Sequence, residues 1–529
     1  MNKKHFITAL ALSVALGAGA QTAYDAAKIT STDLNGTARF VGMGGAMGAL
    51  GGDLSTIGTN PAGLGIFRSN DVSMSFGFSN IGTESNYMGH KLSNNKTRFS
   101  FDNMGFVVSH HVGNHTALRF VNFGFNYCRA KSFYRNTLMS GELPFSQTDL
   151  MSTQANNMFL DAYNPVDLWQ LRQDKINPYD DNRVGWLGSL GFDAGLVETA
   201  DDIDPPYSNP HAQPLANYKG IERGGINQYD FNVSFNLQDR VYLGLSIGLY
   251  DVDYRKTYFY QEDLGAGDSY DLSSWNDIEG IGWNVKLGAF VRPFEDSPLR
   301  IGFAVHSPTI YSLSYHTSAI MHSKLWYVNT ETQQEFLEEK KIDTFYELYD
   351  SDMKTDFDFH TPWKYNVSLG YTVGSSLALG AEYEFEDYGK NKFFYPDYDG
   401  EEMYFENDQI KQVNKGVHTF RAGAEYKVIP QFAFRFGYNY SSTAFEKDAL
   451  KVLPTNSLHV DTDFANTQSL SNYTIGVGYR SGSVYLDLAY KYSTQKSDFY
   501  PFAFSDDRPQ VTKLTDTRSQ VLLTLGWRF

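Results

Sequence analysis

The chain has 529 residues, 44 Lys and Arg against 61 Asp and Glu, a formal net charge of −17, 39 Phe, 36 Tyr, 46 Gly and 1 Cys. That balance excludes a nucleic-acid surface, which needs clustered Lys and Arg, and a lone cysteine, Cys128, excludes an internal disulfide framework and reads as a free, inert thiol in a strand. Beyond the first twenty residues no apolar run approaches the roughly eighteen residues of a transmembrane helix, yet a mean hydropathy of −0.39 still permits a membrane barrel, whose lipid-facing residues hide in alternation.

Residues 1–20 have the form of a secretory signal: Lys3 and Lys4, the apolar run Phe6–Leu16, then Ala18-Gly19-Ala20 before a cut at Gln21. Gln rather than Cys after the cut argues against a lipid anchor. Residues 21–70 follow as a separate leading segment. Its Gly-rich run over 36–67 does not follow a strand, and Gly42 and Gly44 are followed by Met47 where the dinucleotide fingerprint needs a third glycine. Such small residues suit close backbone packing in a confined space instead.

From residue 71 onward apolar and polar residues alternate with period two. Val241, Leu243, Leu245, Ile247 and Leu249 interleave with Tyr242, Gly244, Ser246, Gly248 and Tyr250, and Phe432, Phe434, Phe436, Tyr438 and Tyr440 with Ala433, Arg435, Gly437 and Asn439. At the C-terminus Val521, Leu523, Leu525, Trp527 and Phe529 oppose Gln520, Thr524, Gly526 and Arg528, with Leu522 an exception on the polar face. A soluble sandwich also alternates, but without a Gly/Ser-rich opposite face or aromatic ends to the apolar band. Those features match a membrane barrel with its two interfacial girdles.

About fourteen such segments are expected, an even number as in bacterial barrels: 71–79, 98–110, 116–128, 226–237, 240–254, 279–292, 298–316, 357–373, 376–388, 416–428, 431–441, 470–480, 483–493 and 518–529. Connections after even-numbered segments are short, such as Gln238-Asp239 and Ser481-Gly482. Those after odd-numbered segments are long and polar. This asymmetry of periplasmic turns and extracellular loops predicts that both chain ends face the periplasm. The longest loop, 129–225, holds its own apolar residues and short helices near 147–161 and 166–173. Leu150, Met151, Met158, Phe159, Leu160, Trp169 and Trp186 are candidates for a ligand mouth or for the loop's own core.

The stretch Ala38–Gly52, Asp53, Ser55 and the run Asn60-Pro61-Ala62-Gly63-Leu64 resemble the OmpP1/FadL family of outer-membrane long-chain fatty acid transporters, the last run its Asn-Pro-Ala hatch motif. Arg300-Ile301-Gly302 with Ser307-Pro308, Thr361-Pro362-Trp363 and Glu382-Tyr383-Glu384-Phe385 are further echoes. The resemblance implies an all-β transmembrane antiparallel barrel (71–529) of about fourteen strands, with residues 21–70 as a hatch inside the lumen. Gly44, Gly45, Asp53, Asn60, Pro61 and Ala62 are the hatch candidates. It also implies passive uptake of long-chain fatty acids or other hydrophobic small molecules in the outer membrane of a Gram-negative bacterium. Ligand would leave sideways through a gap near the third strand. A barrel this wide is not filled by its own side chains, so a plug is physically required.

Glu382, Glu384 and Glu386 share a face with Arg421, Glu425 and, on the following strand, Arg435. They read either as cross-strand ion pairs or as a lumen lining that ties the hatch or positions a headgroup. His110, His111 and His115 cluster at a periplasmic turn, where solvated histidines are a better reading than a metal or haem site; His316 and His322 carry no ligand spacing. No enzyme activity, cofactor or metal is expected. Expected partners are outer-membrane lipid, lipopolysaccharide and a hydrophobic ligand, with the chain a monomer. The alternative is a barrel that scaffolds secretion or surface-protein attachment.

Overall fold

The computed structural model describes residues 21–199, 205–208, 213–329, 331–396, 400–503 and 508–529. The expected signal peptide lies outside them. Fourteen antiparallel strands close into a barrel. They are β1 (Asp71–Tyr87), β2 (His90–His111), β3 (Leu118–Ser132, resumed at Arg135–Glu142), β4 (Leu215–Leu237), β5 (Val241–Gly265), β6 (Asp268–Val291) and β7 (Arg300–His306, resumed at Ile310–Val328). The wall continues through β8 (Glu335–Asp343, Met353–His360 and Lys364–Val373), β9 (Leu377–Asp387 and Lys392–Phe394), β10 (Gly416–Ile429), β11 (Phe432–Ser441), β12 (Phe464–Ser481), β13 (Val484–Tyr500) and β14 (Thr512–Arg528). Closure is made by β1 pairing with β14, from Asp71↔Arg528 to Asn86↔Lys513. Each expected segment sits in one of these strands.

Closure pairs the first strand with the last, and side chains of opposite character face lipid and lumen. On β5, Leu243, Leu245, Ile247 and Leu249 are exposed outward, while Gly244, Ser246, Gly248 and Tyr250 are buried inside. Trp527, Phe432 and Tyr479 border the apolar band near the short turns. A closed barrel with a greasy outer belt belongs in the outer membrane of a Gram-negative cell. The exceptional Leu522 is fully buried against Ala38 and Val41 of the leading segment, so its place on the polar face is a packing contact.

Three expectations need correction. The large loop is 143–214 rather than 129–225, because β3 and β4 continue their ladder from Arg135↔Glu222 to Glu142↔Leu215 well beyond the apolar band. The connections after β1 and β5 are extended hairpins turning at Met88-Gly89 and Ala266-Gly267, because polar residues pair as readily as apolar ones once outside the membrane. Finally, the two ends do not share a side. Phe529 N donates to Asn70 O at the rim of the short turns. Residues 21–30 instead lie among the long loops at the other rim, where Tyr24 stacks on Phe445 at 4.9 Å and Asn414 Nδ2 donates to Ala23 O.

Candidate ligand conduit

The leading segment begins with α1 (Ala23–Thr30), whose capping box pairs Thr22 with Asp25. It continues through α2 (Ala38–Gly42) and two 3₁₀ turns, Leu54–Gly58 and Pro61–Ile66. Asp53 caps the first turn, accepting from Ser55 N at 2.9 Å and from Thr37 Oγ1 at 2.8 Å. Asn60 caps the second, where Pro61 supplies the first helical residue and Asn60 Oδ1 accepts from Ala62 N at 3.1 Å.

What seats this segment is a belt of glycines on the inner wall. Gly370, Gly380, Gly423 and Gly437 stand directly opposite one another across β8, β9, β10 and β11. A Cβ on Gly380 would lie 2.0 Å from Ala46 O, one on Gly423 2.2 Å from Met43 O, and one on Gly437 2.1 Å from Gly44 N. On the far side Gly244 and Gly288 are paired partners, and a Cβ on either would strike Asn60, Pro61 or Ala62 within 2.3 Å. Residues 42–62 therefore lie backbone-to-backbone on the wall. Gly44 and Gly45 take φ of +64° and +81° there, a turn that a side chain would strain.

Wall side chains satisfy the segment's backbone. Asn122 Nδ2 donates to Leu64 O at 2.6 Å, Asn232 Nδ2 to Pro61 O at 3.1 Å, Arg300 Nη1 to Leu50 O at 2.7 Å and Lys491 Nζ to Leu34 O at 2.5 Å. The expected lumen residues join in. Glu382 Oε2 accepts from Gly48 N at 3.0 Å and Glu382 Oε1 from Arg421 at 2.6 Å; Arg421 also holds Glu384 at 3.1 Å, and Lys364 holds Glu386 at 3.0 Å. Glu425 bridges Arg39 at 2.8 Å and Arg435 at 2.7 Å, and Arg435 reaches Asp487 at 2.5 Å. Ion pairing and ties to the segment are thus parts of one network. Sequence reasoning missed Arg39, whose partner is 386 residues away.

Between α1 and the rest of the leading segment lies a cavity of about 470 Å³, lined in part by Tyr24, Lys28, Leu34 and Ser55 of that segment. Its lining mixes Tyr218, Tyr254, Tyr315, Phe133 and Phe445 with charged groups from every side, including Lys28, Glu222, Lys256, Asp461 and Arg518. Most of these charges are paired, Lys28 with Glu222 at 2.6 Å and Lys256 with Asp461 and Asp463 at 2.6 Å each.

The loop 143–214 forms a lid of α3 (Gln147–Phe159), α4 (Leu168–Gln173) and α5 (Trp186–Asp193). Its start is pinned to β5, where Glu262 accepts from Gln147 N at 2.9 Å and from the Ser146 hydroxyl. Trp186 N donates to Ser457 O at 3.0 Å in the loop between β11 and β12. Met151, Met158 and Trp186 are buried in an apolar cluster that the lid shares with wall residues such as Tyr258, Leu272 and Leu325, Leu150 and Phe159 pack on it, and Leu160 and Trp169 are exposed. None of these seven lines the cavity. His110, His111 and His115 sit at the exposed turn before β3, with His111 Nε2 3.0 Å from Asn114 Oδ1. Among the described residues no group of three or more His, Cys, Asp or Glu is placed to hold a metal ion.

Neither family models nor curated protein sequences match this chain. Solved structures do. A Pseudomonas aeruginosa FadL homologue is 12% identical, with 94% of this chain and 99% of the other covered and a TM-score of 0.51. The Pseudomonas putida toluene transporter TodX (11% identity, TM-score 0.45) and the Ralstonia pickettii toluene transporter TbuX (14%, 0.45) show the same coverage, 94% and 99%. At such identities the likeness is one of fold: this is a barrel of the FadL type.

Proposed function

We propose that this chain is an outer-membrane channel for the passive uptake of hydrophobic or amphipathic small molecules, long-chain fatty acids among them. Ligand gathers beneath the lid, occupies the cavity between α1 and the rest of the leading segment, and leaves sideways through the wall between β2 and β3. The leading segment acts as a hatch that stays seated, blocking the bore. The chain closes its own cylinder, which supports a monomer bathed in outer-membrane lipid and lipopolysaccharide. The structural neighbours whose names carry FadL and toluene transport are in keeping with a hydrophobic cargo.

One observation carries this reading. The ladder between β2 and β3 runs from His111↔Phe120 to Asn103↔Cys128 and stops there, although β2 continues to pair with β1 as far as His90↔Tyr87. Five residues farther along, β3 breaks at Phe133 and Tyr134, both of which line the cavity. The opening is filled by side chains instead of backbone hydrogen bonds: the Arg98 guanidinium lies 3.6 Å over the Tyr134 ring, with Arg223 at 5.3 Å. A stack of that kind is worth about 1–2 kcal/mol, far below the cost of parting a backbone ladder.

The test is a lock across the opening. In a Cys128→Ser background, Arg98→Cys with Tyr134→Cys, cross-linked by a short bismaleimide, should cut the entry of labelled oleate into cells severalfold. The uncross-linked double variant should take it up normally. Equal uptake in locked and unlocked cells overturns the sideways exit. Uptake of oleate and toluene unchanged by deleting the gene, with a secreted protein co-purifying with the barrel, overturns the channel itself in favour of a scaffold.

A further inference from the structure

The opening between β2 and β3 is ringed by arginines that no carboxylate answers. Among the described residues, the arginines with no carboxylate within 4.0 Å fall in two places: Arg119, Arg292, Arg300 and Arg480 near the short turns, and Arg98, Arg129 and Arg223 around the opening. Arg98 and Arg223 share the Tyr134 ring, 3.6 Å and 5.3 Å from its centre. Arg129 is a neighbouring charge of Arg98. A Cβ on Gly225 would lie 3.1 Å from Arg129 Nε and 3.3 Å from its Nη2, so that guanidinium rests on β4, two residues short of Arg223. Arg98 and Arg129 donate no side-chain hydrogen bond among the described residues, and Arg223 Nη1 donates to the carbonyls of Arg135 and Glu222 at 3.3 and 2.6 Å. Arg129 Nε is enclosed, which leaves its Nη atoms as the donors on offer.

The surrounding charges are already engaged. The acid facing Arg98 is Asp102, which is buried and accepts from Asn35 Nδ2 at 3.0 Å and Ser100 Oγ at 2.8 Å. Asp251 stands one strand beyond Arg129, across Asn227, and accepts from that amide at 3.2 Å. Arg518, the other cation near Arg98, is paired with Asp33 at 3.0 Å, and Arg255, opposite Arg223, with Asp253 at 3.1 Å. Three guanidiniums with one facing acid leave an excess of about two positive charges.

Their position says what kind of anion meets them. Phe123, Phe125 and Tyr127 alternate onto the outer face of β3 and Arg129 follows them, opposite Asn227; Arg223 stands opposite the largely exposed Arg255. The outward apolar residues of β2 run from Val108 to Phe99. At about 3.4 Å per residue and a tilt of about 40° they span an apolar band of about 25 Å, which puts Arg98 at the level of lipid headgroups on the side of the long loops. Below the arginines an aromatic row crosses the outer face from β1 to β4: Phe76 against Phe101 at 5.6 Å, Phe101 against Tyr127 at 5.5 Å and Tyr127 against Tyr229 at 5.4 Å. Cations over an apolar sill match a lipid with an anionic head. A carboxylate or a phosphodiester brings one negative charge. A phosphate monoester brings about 1.5 to 2 at pH 7, and guanidiniums bind its oxygens in pairs.

We propose that Arg98, Arg129 and Arg223 bind a phosphate monoester of an outer-leaflet glycolipid, the lipid A part of lipopolysaccharide, with acyl chains lying on the aromatic row. Bound there, the phosphate ties β2 to β3 and β4 where the backbone ladder is missing. This rests on the channel reading for which rim faces outward, and it names the lipid at that channel's opening.

The experiment is native mass spectrometry of the full chain in detergent with added lipid A carrying both phosphates, the same lipid A after phosphatase treatment, phosphatidylglycerol and oleate. The phosphorylated form should bind at least about tenfold more tightly than the dephosphorylated one, the equivalent of one charge-assisted hydrogen bond. Arg98→Gln, Arg129→Gln and Arg223→Gln should each weaken the phosphorylated form severalfold and leave the dephosphorylated form unchanged. Arg292→Gln, at the other rim, should change neither. Arg129→Lys, which keeps the charge and loses the fork, should fall between the wild-type chain and Arg129→Gln, and replaces it if that variant lacks the heat-modifiable migration of a folded barrel. Equal binding of the two lipid A forms, or an equal loss in Arg292→Gln, overturns the inference. So does arginine-dependent binding of oleate or phosphatidylglycerol at the strength of lipid A, which would give the site to the cargo or to any anionic lipid. Oleate entry into cells with and without the gene separates this from the channel: entry that needs the gene while lipid A fails to bind leaves the channel standing, and entry indifferent to the gene removes it.

Discussion

The lower and upper halves of the lumen solve opposite problems. In the lower half, the leading segment and the wall touch through backbone: Ala46 O against Gly380, Met43 O against Gly423, Ala62 N against Gly244. In the upper half, wall and segment touch through long polar side chains, Lys28 with Glu222 and Tyr24 with Asn466. Between those chains remains a cavity of about 470 Å³. Backbone packing at van der Waals distance leaves no slack and has few alternative arrangements. Long side chains can turn aside for a ligand at modest cost. On the proposed channel function, the first kind of contact serves to block water below and the second to admit a ligand above.

The comparison breaks most sharply at the glycine belt. Gly423→Leu with Gly437→Leu would set side chains where Met43 and Gly44 now run. Overpacking at the pair is expected to cost up to about 6 kcal/mol of seating energy. The barrel itself should still assemble, because both side chains point inward and the outer belt is untouched. The measurement is single-channel conductance in a planar bilayer: the wild-type chain should be nearly silent and the double variant steadily conducting. A silent double variant would mean that the segment is not held by the belt.

A smaller effect sharpens it at the boundary between the halves. Glu382, whose side chain is fully buried, serves Arg421, Asn366 and the backbone of Gly48 together. Glu382→Ala strands a buried guanidinium edge and a peptide N–H, at about 3–4 kcal/mol. Its signature should be local. Amide exchange in residues 42–52 should accelerate, while α1, held by Asn466, Asn391 and Asn414 through its Tyr24, Thr30 and Ala23, stays protected. Exchange that rises uniformly along residues 21–66 would show the segment to be one cooperative piece.

These halves differ in how far the sequence reveals them. The wall is legible because lipid demands it: each strand must alternate, and the Gly/Ser-rich face opposite Leu243 to Leu249 and the aromatic run Phe432 to Tyr440 set it apart from a soluble sandwich. The helices at 147–159 and 168–173 are legible because Ser146 and Asp167 are side chains that cap helices, followed at helical spacing by apolar residues. Asn60-Pro61-Ala62 is legible because a capping Asn and a helix-starting Pro act locally. The cavity is not. Asn276 and His459 are 183 positions apart in number and meet only because β6, β7 and the loop before β12 share one end of the cylinder. Arg39 and Leu522 depend in the same way on a partner that closure of the barrel supplies. The lid's methionines and Trp186 are buried in an apolar cluster shared with the wall and stand off the cavity, a placement the sequence does not show because a core and a binding surface use the same residues.

The smallest effect concerns the roof of the upper half. Helix α6 (Tyr404–Val413) in the loop between β9 and β10 buries Ile410 and Val413, and Asn414 at its end holds Ala23 of α1. Glu406 lies in its first turn, a position where the helix dipole favours a negative charge. Burial wins, pushing the carboxyl from 4.5 up to about 6. The sign follows from proton binding: between these values the folded helix holds a proton that the unfolded segment releases. The stabilising contribution is therefore complete below pH 4.5 and is lost as the pH rises through 6. The difference amounts to about 2 kcal/mol. Amide exchange in α6, corrected for intrinsic rates, should be slower at pH 5 than at pH 8. Glu406→Gln should abolish the difference and hold the pH 8 protection at the pH 5 level, whereas exchange in residues 42–62 should be indifferent to both. Equal protection of wild-type α6 at the two pH values would mean that the carboxylate reaches water, and that the roof is looser than its packing against α1 requires.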